Sequence, residues 1–214
     1  MTARPMEEAA APVLNVVGER VALGPGRRDL LPLFQRWDNE VYAQAMLGEI
    51  PRPITLEQEQ VWYDRADVSG EARTIAFVIY RRADWRALGA TALADIDHRQ
   101  RTAAFSIAIG EPADRGWGYG TEATRLVLDY AFTALGLHSV MLFVYEYNLA
   151  GRRAYAKAGF REFGRRRQTQ WLNGRLWDII YMECLASEFA SPVLGRVFAP
   201  DLAGKDDQEP LPPP

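Results

Sequence analysis

The sequence predicts a single-domain α/β protein, and two observations lead to this prediction. First, segments with the two-residue alternation of half-buried strands are mixed along the chain with segments whose apolar residues recur every three to four positions, as in amphipathic helices. Second, the 214 residues make one domain of ordinary size, and the hydrophobic fraction of 48 % and charged fraction of 25 % are close to the averages for globular proteins.

The two ends of the chain differ in composition from the middle. Residues 1–12 and 191–214 are rich in Ala, Pro, Gly and charge, and four of the last five residues are prolines. Such segments bury too little apolar surface to offset the entropy lost on ordering. We therefore expect a disordered N-terminus over 1–12, a folded domain over 13–190 and a flexible Pro-rich tail over 191–214.

Composition excludes several classes of protein. No run of about 18 apolar residues offers a membrane span, and residues 1–12 do not have the pattern of a signal peptide, so we expect a cytoplasmic protein. With one cysteine, Cys184, and two histidines, an internal disulfide is impossible and a zinc site made of Cys and His is excluded, so we expect no metal. The net charge of −3 argues against nucleic acid as the main partner.

The first third of the chain predicts one strand followed by helices. Val16 to Leu23 has the composition of a strand, and Arg28 to Leu47 reads as helical segments. Thr55 is followed three residues later by Gln58, as in a capping box. We therefore expect a helix that begins after Thr55 and ends near Ala66.

Three neighbouring strands are expected next, forming a meander: Thr74 to Arg81, Leu88 to Asp95 and Thr102 to Ile109. In the third strand, large apolar side chains alternate with small ones, so they point to opposite faces of the sheet. The small side chains are Ala104, Ser106 and Ala108. One face of this strand therefore packs on the core, and the other lets a ligand come close.

The most regular apolar period in the chain starts at Thr121 and predicts a helix that Gly136 ends. The remaining elements are a buried central strand, a helix and a last strand: Ser139 to Tyr145, Asn148 to Gly159 and Leu176 to Cys184. The basic run Arg165 to Arg167 is expected to be a solvated turn.

A glycine-rich segment lies between the third strand of the meander and the strongest helix. Its residues are Arg115, Gly116, Trp117, Gly118, Tyr119, Gly120 and Thr121. Alternate glycines let the backbone N–H groups approach a ligand, and a helix start adds unpaired donors and the positive end of its dipole. The segment therefore predicts a phosphate site, although by itself it would also fit a tight turn.

Other nucleotide-binding and hydrolase motifs do not fit this loop. No lysine follows these glycines, as a P-loop requires, and Gly118 lacks the glycine or alanine three residues later that a dinucleotide fingerprint requires. The elbow Gly-x-Ser-x-Gly of hydrolases is absent as well.

The loop resembles the Arg/Gln-x-x-Gly-x-Gly/Ala motif of the GNAT acetyltransferases. A second block, Asn148 with Ala154 to Phe160, is similar to the family's Asn…Tyr-Glu-Lys-x-Gly-Phe helix at matching spacing. The resemblance runs from about Val16 to Ala186 and is strongest to the branch that includes ribosomal-protein and spermidine acetyltransferases. It implies a mixed, mostly antiparallel sheet of six to seven strands flanked by helices, with a V-shaped splay between the two central strands.

The resemblance also implies roles for particular residues. The backbone of Arg115 to Thr121 would hold the pyrophosphate of acetyl-CoA. The strand residues Ser106, Ile107, Ala108 and Ile109 would bind its pantetheine arm. Asn148 would contact that arm, although it also fits a helix N-cap. Tyr155 would protonate the leaving thiolate, although it also fits a core aromatic.

The general base is the open point, because the sequence has Ala104 where related enzymes often have a glutamate. Asp95 and Asp97 are the remaining candidates, since residues two apart share one face of a regular strand. The alternative is that they form a hydrophilic strand end that leads into a turn. Glu146 and His98 are weaker candidates.

We therefore expect an N-acetyltransferase that moves an acetyl group from acetyl-CoA to a primary amine, a small molecule or a protein N-terminus, by direct attack in a ternary complex. The alternative is an acyl-CoA-binding protein of the same fold without catalysis, and the loop spacing argues against a nucleotide-dependent oxidoreductase. An acidic chain favours cationic acceptors without choosing among them. We expect residues 37–62 to roof the acceptor site, and a homodimer through the sheet edge stays open.

Overall fold

The computed structural model describes residues 11–48, 51–68 and 73–199. The strands in this part of the chain are β1 Val16–Val17, β2 Val21–Gly24, β3 Ile75–Arg81, β4 Ala87–Asp97, β5 Thr102–Ile109, β6 Ser139–Tyr145, β7 Arg161–Leu172 and β8 Arg175–Leu185. The helices are α1 Leu31–Asp38, α2 Val41–Leu47, α3 Leu56–Val68, α4 Tyr119–Asp129, α5 Leu149–Ala158 and α6 Leu194–Val197. Residues 1–10 and 200–214, most of the two ends that we expect to be disordered, lie outside the described residues.

The strands form one sheet in the order β1-β2-β3-β4-β5-β6-β8-β7. Neighbouring strands are antiparallel except β5 and β6, which pair in parallel over only three positions, from Thr102 opposite Ser139 to Ala104 opposite Met141. Beyond these positions β5 and β6 separate, so the sheet opens into a V. The expected α/β class, mostly antiparallel sheet and central splay are confirmed.

The sheet has eight strands in the described residues, more than the six to seven expected. The segment that we predict as one strand, Val16 to Leu23, is split by a turn into β1 and β2, with the Gly18 amide donating to the Val21 carbonyl at 2.9 Å. The strand β7 was not predicted at all. Arg165 to Arg167, expected as a turn, lie within β7. This edge strand is polar and largely exposed, so it lacks the apolar alternation that reveals half-buried strands.

The helices divide the two faces of the sheet between them. On one face α4 packs on the main core, with Leu126 and Val127 against strand residues such as Phe105. On the other face, towards the β3 side, α1 packs Trp37 onto Val78 and Tyr80. The middle of that second face carries mainly small side chains on β4 and β5, which leaves room above the splay.

Two helix boundaries follow the predicted local chemistry. The Gln58 amide donates to the Thr55 hydroxyl oxygen at 3.3 Å, and the Thr55 amide donates to the Gln58 side-chain oxygen at 3.0 Å, so the capping box is confirmed. After α4 the chain continues as a π-helical segment, Tyr130–Ala134, before Gly136 takes a φ of 65° and ends the helix.

The chain stays packed on the core past residue 190, where we expect the tail to begin. Leu194 in α6 is 6 % exposed. The carboxylate of Asp129, itself 0 % exposed, accepts hydrogen bonds from the amides of Val193 and Leu194 at 2.9 and 2.8 Å. A buried carboxyl group needs such hydrogen-bond partners, and here they join the start of α6 to the end of α4.

Candidate active site

The glycine loop connects β5 to the first turn of α4. Gly116 and Gly118 have φ values of 83° and 86°, which side-chain-bearing residues rarely adopt, and Gly118 is the N-cap of α4. A Cβ atom at Gly116 would meet no atom within 4 Å, so the loop borders open space. The unpaired amides of the first helical turn and the positive end of the dipole lie beside this space, an arrangement that suits an anion.

The side chain of Arg115 binds other groups of the protein. Its guanidinium donates to the carbonyl oxygens of Ile109 and Gly110 at 3.1 and 2.7 Å and forms an ion pair with Glu40 at 2.7 Å. It also lies 5.3 Å from the ring centroid of Tyr42 in α2. Arg115 therefore joins the loop to the helix that covers the splay.

A cavity of about 530 Å³ occupies the splay between β5 and β6. The predicted site residues that line it are Ser106, Ile107, Ala108, Ile109, Arg115, Gly116, Gly118, Gly120, Thr121, Asn148 and Tyr155. The two aromatic residues of the loop lie outside its lining. Trp117 is 64 % exposed and donates its indole N–H to the Ala113 carbonyl, and Tyr119 packs against the core.

Tyr155 lies on α5 beneath the splay, and its ring is edge-on to the rings of Phe105 and Phe160. The ring centroids are 6.2 Å and 6.1 Å from that of Tyr155. Burial raises the pKa of Tyr155 to about 12, because an ionised phenolate would lose its hydration there. Within the described residues its hydroxyl group has no hydrogen-bond partner. A protonated, unengaged donor therefore stands at the cavity wall.

Asn148 is the N-cap of α5, one of the two roles that the sequence analysis left open for it. Its side-chain oxygen accepts from the Gly151 amide at 2.8 Å, as an N-cap of α5 does, and the residue also lines the cavity. The side-chain NH₂ group of Asn148 is not used by the cap. Capping and contact with a ligand are therefore compatible, and the ligand contact stays a prediction.

Asp95 and Asp97 lie in the last three residues of β4, beside the start of β5 and so at the opposite end of β5 from the glycine loop. We expect Asp95 and Asp97 to share one face because side chains alternate along a regular strand. The pairing of β4 with β5 is irregular between Ala94 and Asp97, and Asp95 has a φ of 49°, so this alternation is interrupted. The Asp97 carboxylate accepts from the amides of Arg99 and Gln100 at 2.9 and 2.8 Å. Neither aspartate lines the cavity.

Aromatic residues on β6 line the cavity and were missed by the sequence analysis, which treated β6 as buried on both faces. Phe143 is 53 % exposed, and the ring centroids of Phe143 and Tyr145 are 5.9 Å apart. Tyr145 stacks on Tyr147 at 5.3 Å, and the Tyr147 hydroxyl donates to the Ala45 carbonyl of α2 at 2.7 Å. The two-residue spacing of these aromatics was the available signal.

Comparison with known proteins shows the family of this chain. The model of the GNAT acetyltransferase domain matches residues 20–161, and the chain belongs to that family. Spermidine N(1)-acetyltransferase of Escherichia coli K12 is 30 % identical over 162 residues, which cover 76 % of this chain and 84 % of that enzyme. A human alpha/beta-tubulin N-acetyltransferase is 29 % identical over 139 residues, which cover 57 % of this chain and 63 % of that protein.

Solved structures of similar fold lead to the same class. The crystal structure of spermidine N-acetyltransferase from Vibrio cholerae with CoA and spermine superposes with a TM-score of 0.72 at 25 % identity, covering 79 % of this chain and 97 % of that one. A dodecameric structure of the Vibrio cholerae enzyme gives 0.65 at 26 % identity, covering 78 % and 95 %. The chain is therefore an N-acetyltransferase that transfers an acetyl group from acetyl-CoA to an amine. Among the described residues, no helix has both the length and the apolar character needed to cross a bilayer.

Proposed function

We propose that acetyl-CoA binds with its pyrophosphate on the glycine loop and its pantetheine arm along β5, and that the amine attacks the thioester directly in a ternary complex. The observation that supports this best is the single cavity in the splay, which is lined both by Gly116 and Gly118 and by the hydroxyl-bearing Tyr155. The arm would pair with the backbone of β5 beyond Ala104, where β6 no longer does. The small Ser106 and Ala108 leave space beside it.

Tyr155 is proposed to stabilise the departing sulfur as a hydrogen-bond donor. With a pKa of about 12, its phenol stays protonated at neutral pH. An ordinary thiol has a pKa of about 8.5, so complete proton transfer from the phenol to the thiolate is uphill by roughly three units or about 4–5 kcal/mol. Donation of a hydrogen bond avoids most of that cost, and backbone N–H groups of the splayed strand would assist at the thioester oxygen.

The acceptor amine is proposed to enter from the α2 side, where Tyr42, Met46 and Leu47 line the cavity. These residues belong to the segment expected to roof the acceptor. Relatives named for spermidine make a polyamine one acceptor to test.

Cytoplasmic location, and self-association through the exposed edge strand β7, stay predictions.

Calorimetric titration with acetyl-CoA tests the cofactor loop. In Gly116→Val, a branched side chain fills the open space beside the loop, so we expect the Kd to rise at least about tenfold, the effect of roughly 1.4 kcal/mol. Gly136→Val is the matched control, because Gly136 also has positive φ and open space but lies at the far end of the helix. Both variants lose about 1–2 kcal/mol of stability from backbone strain. Equal affinities in the two variants would refute the loop assignment.

A further inference from the structure

A row of three residues crosses the middle of the sheet on the face opposite α4. Ala104 of β5 lies opposite Met141 of β6, and Met141 lies opposite Glu183 of β8. Residues opposite one another in register share a face of the sheet. Neighbouring strands are about 4.8 Å apart, so Glu183 stands roughly 10 Å from Ala104, the last residue of β5 that pairs with β6 before the two strands separate.

The Glu183 carboxylate is half-buried and unengaged. In the described residues it has no hydrogen bond or ion pair. Its register partner on β7 is Arg161, but that guanidinium lies 2.6 Å from the carboxylate of Glu188. The carboxylates in the surrounding region are paired with arginines: Glu40 with Arg115, and Glu146, Glu162 and Asp178 with Arg165.

The rest of this face is aromatic. Phe143 and Tyr145 follow Met141 at two-residue spacing, and Tyr181 lies opposite Phe143, so all share the face of Glu183. The end of α2 closes tightly over this row, because a Cβ atom at Gly48 would come within 1.7 Å of the Tyr145 hydroxyl. Glu183 therefore borders an aromatic row of which Phe143 and Tyr145 line the cavity. Glu183 itself, like Asp95 and Asp97, lies outside the lining.

We propose that Glu183 binds the ammonium group of the acceptor and takes its proton, and that the acceptor is a primary amine with one positive charge on an apolar body of aromatic size. This inference rests on the proposed function and specifies its acceptor. An apolar body of this size gains from burial against Phe143 and Tyr181, which share the face of Glu183. Asp95, another carboxylate without a hydrogen-bond or ion-pair partner in the described residues, follows Ala94 at the exposed end of β4, whereas Glu183 is half-buried beside the aromatic row.

The step balances without another reactant. The ammonium N–H bond breaks, and its proton goes to Glu183, directly or through one water. The neutral amine then forms the C–N bond with the thioester carbon as the C–S bond breaks. The second amine proton is lost to solvent as the amide forms, the thiolate is stabilised by Tyr155 and takes a proton to become the CoA thiol, and Glu183 returns its own proton to solvent.

A panel of amines tests the acceptor class. Thiol release by the full-length protein is measured with acetyl-CoA and 2-phenylethylamine, n-butylamine or spermidine. We expect kcat/KM for 2-phenylethylamine to be at least about tenfold above that for spermidine, because only its ring gains from burial on the aromatic row. Phe143→Ala should reduce the rate with 2-phenylethylamine more than that with n-butylamine. A kcat/KM for spermidine equal to or above that for 2-phenylethylamine would overturn the acceptor class.

The variant Glu183→Gln tests the carboxylate. Loss of a general base should lower kcat/KM for the amine about 100-fold near neutral pH, with a partial recovery as pH rises and neutral amine becomes available. Acetyl-CoA affinity should be unchanged. Glu162→Gln is the control, because it removes a carboxylate that is already paired with Arg165. Equal rates in Glu183→Gln and wild type would reject this role alone, whereas failure of wild type to bind acetyl-CoA would reject the proposed function itself.

Discussion

At the scale of single residues, the site depends on donors that the folded protein leaves unused. The Tyr155 hydroxyl has no partner in the described residues although its ring is packed between Phe105 and Phe160. The hydroxyl is not among the buried unpaired side-chain atoms and belongs to a residue of the cavity lining, so a ligand in the cavity can accept its hydrogen bond. Packing thus orients the Tyr155 ring and leaves its hydroxyl available for the proposed hydrogen bond to the sulfur of the thioester.

The substitution Tyr155→Phe removes that donor and leaves the packing intact. We expect kcat to fall about 100-fold, as for loss of one preorganised donor to a developing negative charge. The free energy of unfolding should hardly change, since no hydrogen bond of the free protein is lost. Steady-state kinetics and urea unfolding check the two statements. A kcat within a factor of two of wild type would leave Tyr155 as a core aromatic only.

At the scale of elements, the helices over the acceptor side carry a buried acidic contact. Asp38, the last residue of α1, shares a hydrogen bond with Glu59 of α3. Burial raises the pKa of the Asp38 carboxyl above its ordinary value of 3.8. The folded protein therefore holds a proton there more strongly than the unfolded chain does.

The sign of this shift predicts the effect of Asp38→Asn. A carboxyl with a raised pKa contributes stability that is complete below the unfolded pKa, near 3.8, and is lost as pH rises through the folded pKa. The amide cannot ionise, so the variant should be more stable than wild type at about pH 7, with the difference shrinking towards about pH 4. Urea unfolding across this range measures it. Asp64→Asn is the control, because Asp64 forms an exposed ion pair with Arg28 that contributes little.

At the scale of the whole molecule, the sheet consists of two parts joined at a narrow seam. The strands β1 to β5 form one part and β6, β8 and β7 the other, and only three register pairs connect them. Contacts between the helices α4 and α5 add to this connection. A ligand that fills the splay touches both parts and replaces backbone partners that the strands lack.

Acetyl-CoA should therefore stabilise the protein measurably. At a concentration about 100-fold above its Kd, a ligand specific for the folded state adds about 2.7 kcal/mol. For a domain of this size, that corresponds to a rise in Tm of about 5–10 °C. Thermal unfolding at increasing acetyl-CoA concentration checks it, with Gly116→Val expected to show little rise. A wild-type Tm that does not respond would contradict binding in the splay.

The elements that the sequence predicts best are those whose pattern reflects burial. The bounds of β5 and β6 match the prediction, because an alternating strand and a wholly apolar strand both have clear boundaries. The strand β7 was missed because its residues face solvent, and Asp95 was grouped with Asp97 because an irregular pairing cannot be read from composition. Glu183 was not predicted as a site residue. Its proposed role depends on its position opposite Met141 in the sheet, and the two residues are far apart in sequence.

The bond between Asp129 and the start of α6 has a consequence for how the chain is made. The Asp129 carboxylate, at the end of α4, accepts hydrogen bonds from the amides of Val193 and Leu194. The ribosome synthesises α4 some sixty-five residues before these two residues. Until they emerge, the Thr133 hydroxyl is the donor that the described structure provides to this carboxylate, and its other oxygen atom lacks the two amides. Completion of the fold thus waits for Val193 and Leu194, and a released chain that ends at residue 190 should be more sensitive to protease than one that ends at residue 199.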